Sequence, residues 1–189
     1  MTLAEIVYCL ILGVPMIVAI SILLNEKRAG ISPTPTMPGT RRVVVDLLKR
    51  YAGGEHQSVR IAELGSGWGG LVVRLANAFP NATITGFEIS PWPRLISRII
   101  TIFNSRIIIL NQDFFSQDWS QFDVMVCYLS PQHMARIEAQ LNQLARKPLV
   151  ISCAFAMPNS IPSETVTIRQ IVTVNIYVYN SPPANLSRH

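Results

Sequence analysis

The run Glu63-Leu64-Gly65-Ser66-Gly67-Trp68-Gly69-Gly70 is the part of the chain whose residue types and spacing point most directly to chemistry. It follows a β-rich stretch over 58–64 and precedes the helical pattern LVVRLANAF. A glycine-rich turn between a strand and a helix lets the backbone approach a nucleotide closely and aims the helix N-terminus at it. The glycines alone leave two cofactors open. Gly65, Gly67 and Gly70 satisfy G-x-G-x-x-G, the dinucleotide fingerprint, while Gly65, Gly67 and Gly69 satisfy G-x-G-x-G, the pattern of S-adenosylmethionine sites. Glu88 ends the next β-rich run, 23 residues after Gly65, where a carboxylate can accept both ribose hydroxyls in either case.

Three features favour the methyl donor. Glu63 lies two residues before the first glycine, where a carboxylate can reach the amino group of methionine; a pyrophosphate loop gains nothing from an anion there. The third β-rich run is followed by Asn111-Gln112-Asp113-Phe114, a polar residue and a ring suited to the amino group and face of an adenine. The chain closes on two β-rich runs, as a class I methyltransferase does and an open dinucleotide fold does not. The expected cofactor contacts are therefore Glu63, Gly65, Ser66, Gly67, Gly69, Glu88, Ile89, Asp113 and Phe114, with S-adenosyl-L-methionine as the cofactor.

Positioning these residues requires a sheet. The sequence predicts strands over 58–64, 83–88, 107–110, 122–129 and 148–153, with helices over 41–51, 69–78, 92–104 and 132–145. That alternation means a parallel sheet covered by helices on both faces. The runs 165–170 and 172–179 have no helix between them and should pair antiparallel. The expected fold is thus α/β, a Rossmann-like class I methyltransferase sheet with a reversed last strand, preceded by one transmembrane helix.

The transmembrane expectation comes from composition and charge. Of 189 residues, 49% are hydrophobic and only 14% charged. Residues 4–24 read AEIVYCLILGVPMIVAISILL, and 21 helical residues span roughly 30 Å, the hydrocarbon thickness of a bilayer. Lys27 and Arg28 follow the apolar run instead of preceding it, which suits a retained anchor and not a cleaved signal peptide. The positive-inside rule then puts the N-terminus outside and the catalytic domain on the cytoplasmic side of the membrane. Residues 25–60 hold seven basic and three acidic groups, against nine and seven over 61–189, so the excess charge is juxtamembrane and nucleic acid is not the expected partner. The domain plan is an anchor over 1–28, a proline-rich linker over 29–39, a catalytic domain over 40–180 and a loose tail over 181–189. Cys9, Cys127 and Cys153 are scattered through apolar runs, so neither a metal site nor a disulfide framework is expected.

Taken in order, PGTRRVVVDLL, ELGSGWGG, GFEISPWP, QDFF, YLSPQ and SCAFAMP resemble bacterial relatives of the small membrane-anchored protein-lysine methyltransferases, whose mitochondrial members modify the ADP/ATP carrier and the ATP synthase c-subunit. The resemblance covers about residues 37–179; Glu88, Pro91 and Trp92, and Tyr128, Leu129 and Pro131, are its more specific parts. Trp68 and Gly70 stand where the family typically has Asp and Arg, and Glu63 where it has Asp. The resemblance implies lysine N-methylation of a membrane-associated protein, with the turn Tyr128, Ser130 and Pro131 as the catalytic edge. Methyl transfer from a sulfonium needs mainly orientation and removal of water. Carbonyls near Leu129, Ser130 and Pro131 would hold the amine, and His133 is read as a capping or surface residue. The alternatives are a small molecule or lipid head group as acceptor, or a membrane protein that binds the cofactor without transferring from it.

Overall fold

The computed structural model describes residues 36–54 and 58–179, together with Thr2, Tyr8, Leu12, Gly13 and Met16. The basic flank and the tail over 181–189 lie outside the described residues, as do most of the expected membrane span and of the linker. Among the described residues no helix is long and apolar enough to cross a membrane.

Helix α1 (Pro38–Tyr51) is followed by β1 (Arg60–Leu64), α2 (Gly70–Ala78), β2 (Thr83–Phe87), α3 (Pro91–Thr101) and β3 (Ile107–Leu110). Then come β4 (Val124–Cys127), α4 (Pro131–Leu141), β5 (Leu149–Cys153), β6 (Glu164–Ile168) and β7 (Val174–Tyr179). Three of the helices start on a proline, whose missing N–H and preset φ suit the first helical position. Proline therefore draws α1 back to Pro38, ahead of the start expected at 41. The third and fourth helices stop at Thr101 and Leu141, short of their expected ends, where Asn104 and Asn142 stand in the chain-reversing turns.

The seven strands form one sheet in the order β3-β2-β1-β4-β5-β7-β6. Strands β1 to β5 are parallel, and β7 runs antiparallel to both β5 and β6. This is the class I methyltransferase sheet with its reversed strand. The central strands β4 (VMVC) and β5 (LVISC) are buried throughout, which is why they read as continuous apolar runs instead of alternating ones.

Alternate residues feed two cores. On one face, Ile61, Val124, Val126 and Ile151 pack with Val44 and Leu48 of α1 and Val72 and Leu75 of α2. On the other, Leu64, Met125 and Cys127 pack with Met134 and Ile137 of α4 and with Phe114, Trp119 and Phe122 from the β3–β4 connection. Burial pushes the Cys127 thiol up to about 12 and raises that of Cys153 as well, so both are protonated packing groups. The long β5–β6 connection is tied down by the buried Glu138 carboxylate, which accepts from the Asn159 amide N at 3.1 Å and from the Ser160 hydroxyl.

Candidate active site

Parallel strands deliver their C-terminal ends to one edge, and the register states which residues meet there. Leu64 pairs with Phe87 and Cys127, Phe87 with Leu110, and Cys127 with Ser152. The next residue along each strand therefore lies at the same edge: Gly65, Glu88, Asn111, Tyr128 and Cys153. Ligands in open α/β sheets bind outside this edge, where the strand order reverses on either side of β1 and β4.

The loop after β1 is held by hydrogen bonds to its neighbour. The Ser66 amide donates to the Phe87 carbonyl at 2.8 Å, and the Gly67 amide donates to Glu88 Oε2 at 2.8 Å. Glu88 Oε1 accepts from the Ser90 amide at 2.7 Å. Gly67 (φ 53°) and Gly69 (φ 80°) are both left-handed, a conformation that disfavours other residues. Their surroundings differ. A side chain on Gly67 would project into open space, whereas one on Gly69 would collide with Ser97 of α3. Gly67 thus borders a cradle, and Gly69 allows α3 to pack against the start of α2.

Glu63, one residue before the end of β1, is buried, and its Oε2 has no hydrogen-bond partner. Burial holds its carboxyl well above the usual carboxylate range; Arg41 opposes this, Glu88 adds to it, and the Val72 amide lowers it. Ser66 Oγ is also buried without a partner. Orphaned buried polar atoms are uncommon in native folds, and two of them flank this glycine loop. Both suit a ligand that brings an ammonium and hydroxyls.

Arg41 is the residue that sequence reasoning missed. It comes from α1, its Nε donates to the Thr36 carbonyl at 2.6 Å, and its guanidinium lies where a side chain on Gly70 would stand. The signal was Gly70 itself: the position at which the resemblance has an arginine is vacated here, and an arginine from another helix fills the volume.

The other expected cofactor residues distribute as follows. Ile89 is exposed, and its carbonyl accepts from Arg94 Nη1 at 3.1 Å; the same nitrogen donates to Asn111 Oδ1, linking the β2 and β3 ends. Asp113 is exposed and caps the turn Phe114–Ser116, its Oδ1 accepting from the Phe115 amide at 2.9 Å. Phe114 is buried in the core, and Phe115 is the ring that stacks on His133, 6.1 Å between centroids. Arg136 lies 3.8 Å over the Phe115 ring.

At the β4 end, Tyr128 and Ser130 are half-buried and Pro131 is exposed at the first position of α4. Ser130 makes no side-chain cap; its Oγ lies 2.7 Å from His133 Nδ1. Burial lowers the His133 pKa, Arg136 lowers it further, and Asp113 opposes them. Leu129 packs against the glycine loop, with its Cδ2 3.1 Å from where a Cβ on Gly65 would stand. The structure thus brings the Tyr128–Pro131 turn next to the loop that carries Gly65 and Gly67. Among the described residues no group of His, Cys, Asp or Glu is placed to hold a metal ion.

No curated protein sequence matches the chain. Among solved structures, an RNA methyltransferase from Salinibacter ruber in complex with S-adenosyl-L-homocysteine superposes with a TM-score of 0.65 at 24% identity, covering 82% of this chain and 100% of that one. A precorrin-6y C5,15-methyltransferase from Geobacter metallireducens GS-15 gives 0.58 at 13% identity, covering 78% of this chain and 90% of that one. At these identities the likeness establishes the fold. The family is given by the ANTKMT methyltransferase domain, whose model matches residues 63–164. Because that match starts at Glu63, takes in the glycine loop, Glu88 and the β4 turn, and spans more than half of the chain, this protein belongs to the ANTKMT family of protein-lysine methyltransferases and is S-adenosylmethionine-dependent.

Proposed function

We propose that the chain transfers methyl groups to the ε-amine of a lysine on a membrane-associated protein, while tethered by the apolar segment over 4–24 with its catalytic domain on the cytoplasmic side. The observation that carries this reading is the packing of Leu129 against Gly65, which sets the Tyr128–Pro131 turn beside the glycine loop. The uncharged span over 4–24 and the basic residues that follow it support the tether.

S-adenosylmethionine supplies a methyl group already activated on a sulfonium. The residues of the chain then have to bind, orient and exclude water. In this reading the buried Glu63 carboxylate takes the cofactor's ammonium, which would give its orphaned Oε2 a partner. Glu88 spends one lone pair of each oxygen on the Gly67 and Ser90 amides and keeps the others for ribose hydroxyls. Gly65, Ser66 and Gly67 form the wall along which the cofactor lies, with Ile89 and Asp113 toward the adenine; the expected contacts of Gly69 and Phe114 are replaced by packing against Ser97 and in the core.

The acceptor side needs a neutral amine. A free lysine has a pKa near 10.4, and desolvation lowers it. The Ser130 carbonyl is taken by the Met134 amide at 3.1 Å at the start of α4, so in this reading the Leu129 carbonyl just before the helix accepts the amine's N–H, and Tyr128 walls the approach. Orientation and desolvation supply the rate in this account. The Ser130–His133 pair is a positioning contact that holds the turn.

The experiment is to incubate the full-length protein with membranes and methyl-labelled cofactor, then separate protein from lipid. Label in protein supports the proposal. Label in the lipid fraction alone assigns the acceptor to a head group instead.

A further inference from the structure

Helix α3 is packed inside out. The residues it buries are small or polar, Pro93, Ser97 and Thr101, and the Thr101 hydroxyl bonds back to the Ser97 carbonyl at 2.8 Å. Its large aliphatic residues point away from the sheet. At 3.6 residues per turn, Leu95, Ile99 and Ile102 fall opposite the buried trio, with Ile96 and Phe103 beside them. Ile99 is 56% exposed, Ile102 70% and Phe103 fully exposed. An apolar face this continuous is unusual on a folded surface and marks an interaction site.

Charge identifies the occupant. Residues 89–112 contain Arg94, Arg98 and Arg106 and no Asp or Glu. Arg94 and exposed Arg98 lie on one flank of the outward face. Two copies meeting through this face would bring like charges together with no acid in the segment to pair them. An apolar stripe flanked by arginine on a helix lying along the surface is instead the pattern of helices that rest in the plane of an anionic membrane.

We infer that α3 docks on the bilayer, with Leu95, Ile99, Ile102 and Phe103 entering the headgroup–acyl boundary and Arg98 meeting anionic lipid phosphates. This rests on the membrane setting proposed above and deepens it. Because α3 begins three residues after Glu88, docking would hold the edge that carries the cofactor residues close to the membrane surface, where a membrane-protein lysine emerges.

The test uses the full chain in a Cys9→Ala background, reconstituted in phosphatidylcholine–phosphatidylserine vesicles, with a nitroxide on Ile99→Cys, Phe103→Cys or the control Ile171→Cys. Ile171 is also exposed, in the β6–β7 turn at the other end of the sheet from β3. Labels at 99 and 103 should collide with oxygen more than with a water-soluble nickel complex, and the label at 171 should do the reverse. Replacing the anionic lipid with phosphatidylcholine, or Arg98→Gln, should lower the docking constant, by about five-fold for the single charge. If the protein floats with the vesicles yet the labels at 99 and 103 remain nickel-accessible, the tether stands and this inference is wrong. Labels shielded from both reagents mean that protein covers the face, which overturns lipid as the occupant. Failure to float defeats the tether and the docking together.

Discussion

Glu88 Oε2 accepts the Gly67 amide at 2.8 Å, so the carboxylate that ends β2 also fixes the conformation of the loop after β1. The loops after β1 and β2, the two halves of the proposed cofactor site, are one hydrogen-bonded unit. Glu88→Ala would remove a charged acceptor from the Gly67 and Ser90 amides as well as from the ribose. Cofactor affinity should fall by roughly 1.5 to 3 kcal/mol, the range for a hydrogen bond to a charged group. Calorimetry giving wild-type affinity for the variant would remove Glu88 from the site.

Glu63 makes a pH prediction whose sign is fixed by its raised pKa. In the free protein the buried carboxyl favours its proton, so the folded state binds more protons than the unfolded one at pH values above the ordinary 4.5. Stability linked to this group is present below that value and is lost as pH rises through the folded pKa. Binding an ammonium reverses the preference. Cofactor affinity should therefore climb with pH until the raised pKa of the free protein is passed and level off above it, with a proton released on binding below that point. Calorimetry in two buffers of different ionisation enthalpy measures that proton, and Glu63→Gln should abolish both the release and the slope.

Gly67 and Gly69, two of the three left-handed glycines of the loop, should fail in different ways. Gly69→Ala carries about 1 to 2 kcal/mol of backbone strain and about 1 to 3 more for the collision with Ser97, so its defect is stability. Gly67 has no such neighbour. A bulky residue there should leave the thermal transition near that of wild type, apart from the strain, and eliminate cofactor binding. Equal melting-temperature losses with cofactor binding retained in the Gly67 variant would contradict the cradle.

At the β4 turn, combining Tyr128→Ala with Pro131→Ala should lower kcat for a lysine substrate while cofactor affinity stays within a few-fold. His133→Ala should do far less, since a general base is worth about 100-fold or more. The rate should rise toward alkaline pH as free amine accumulates. His133 also has a lowered folded pKa, so its contribution to stability is intact above its ordinary value near 6.5 and is lost as pH falls through the folded value. Loss of turnover in His133→Ala with cofactor still bound would make the histidine the base.

Much of this was legible in the residues, for physical reasons. Strands buried on both faces must be continuous apolar runs, so β4 and β5 stood out, and a glycine loop between strand and helix specified the edge at which Glu63, Glu88 and Tyr128 would converge. What sequence could not supply were contacts between distant segments. Arg41 reaches Gly70 from another helix, and Ser97 explains Gly69 from a third. Periodicity over 92–104 signalled an amphipathic helix, yet a period says only that an apolar face exists, not whether the sheet or the solvent receives it. Phe114 illustrates the same limit: its ring enters the core while Phe115, one residue on, takes the stacked position against His133.

The central claim is methyl transfer to lysine from the edge shared by β1, β2 and β4. It is tested most directly by supplying the full-length protein with membranes and methyl-labelled S-adenosylmethionine, then hydrolysing the labelled protein to amino acids. The account predicts label in N-methylated lysine, mapped by peptide mass spectrometry to a membrane protein and diminished with Glu88→Ala when the cofactor is limiting. Label confined to lipid or to a small molecule, or lysine methylation undiminished in Glu88→Ala, would contradict it.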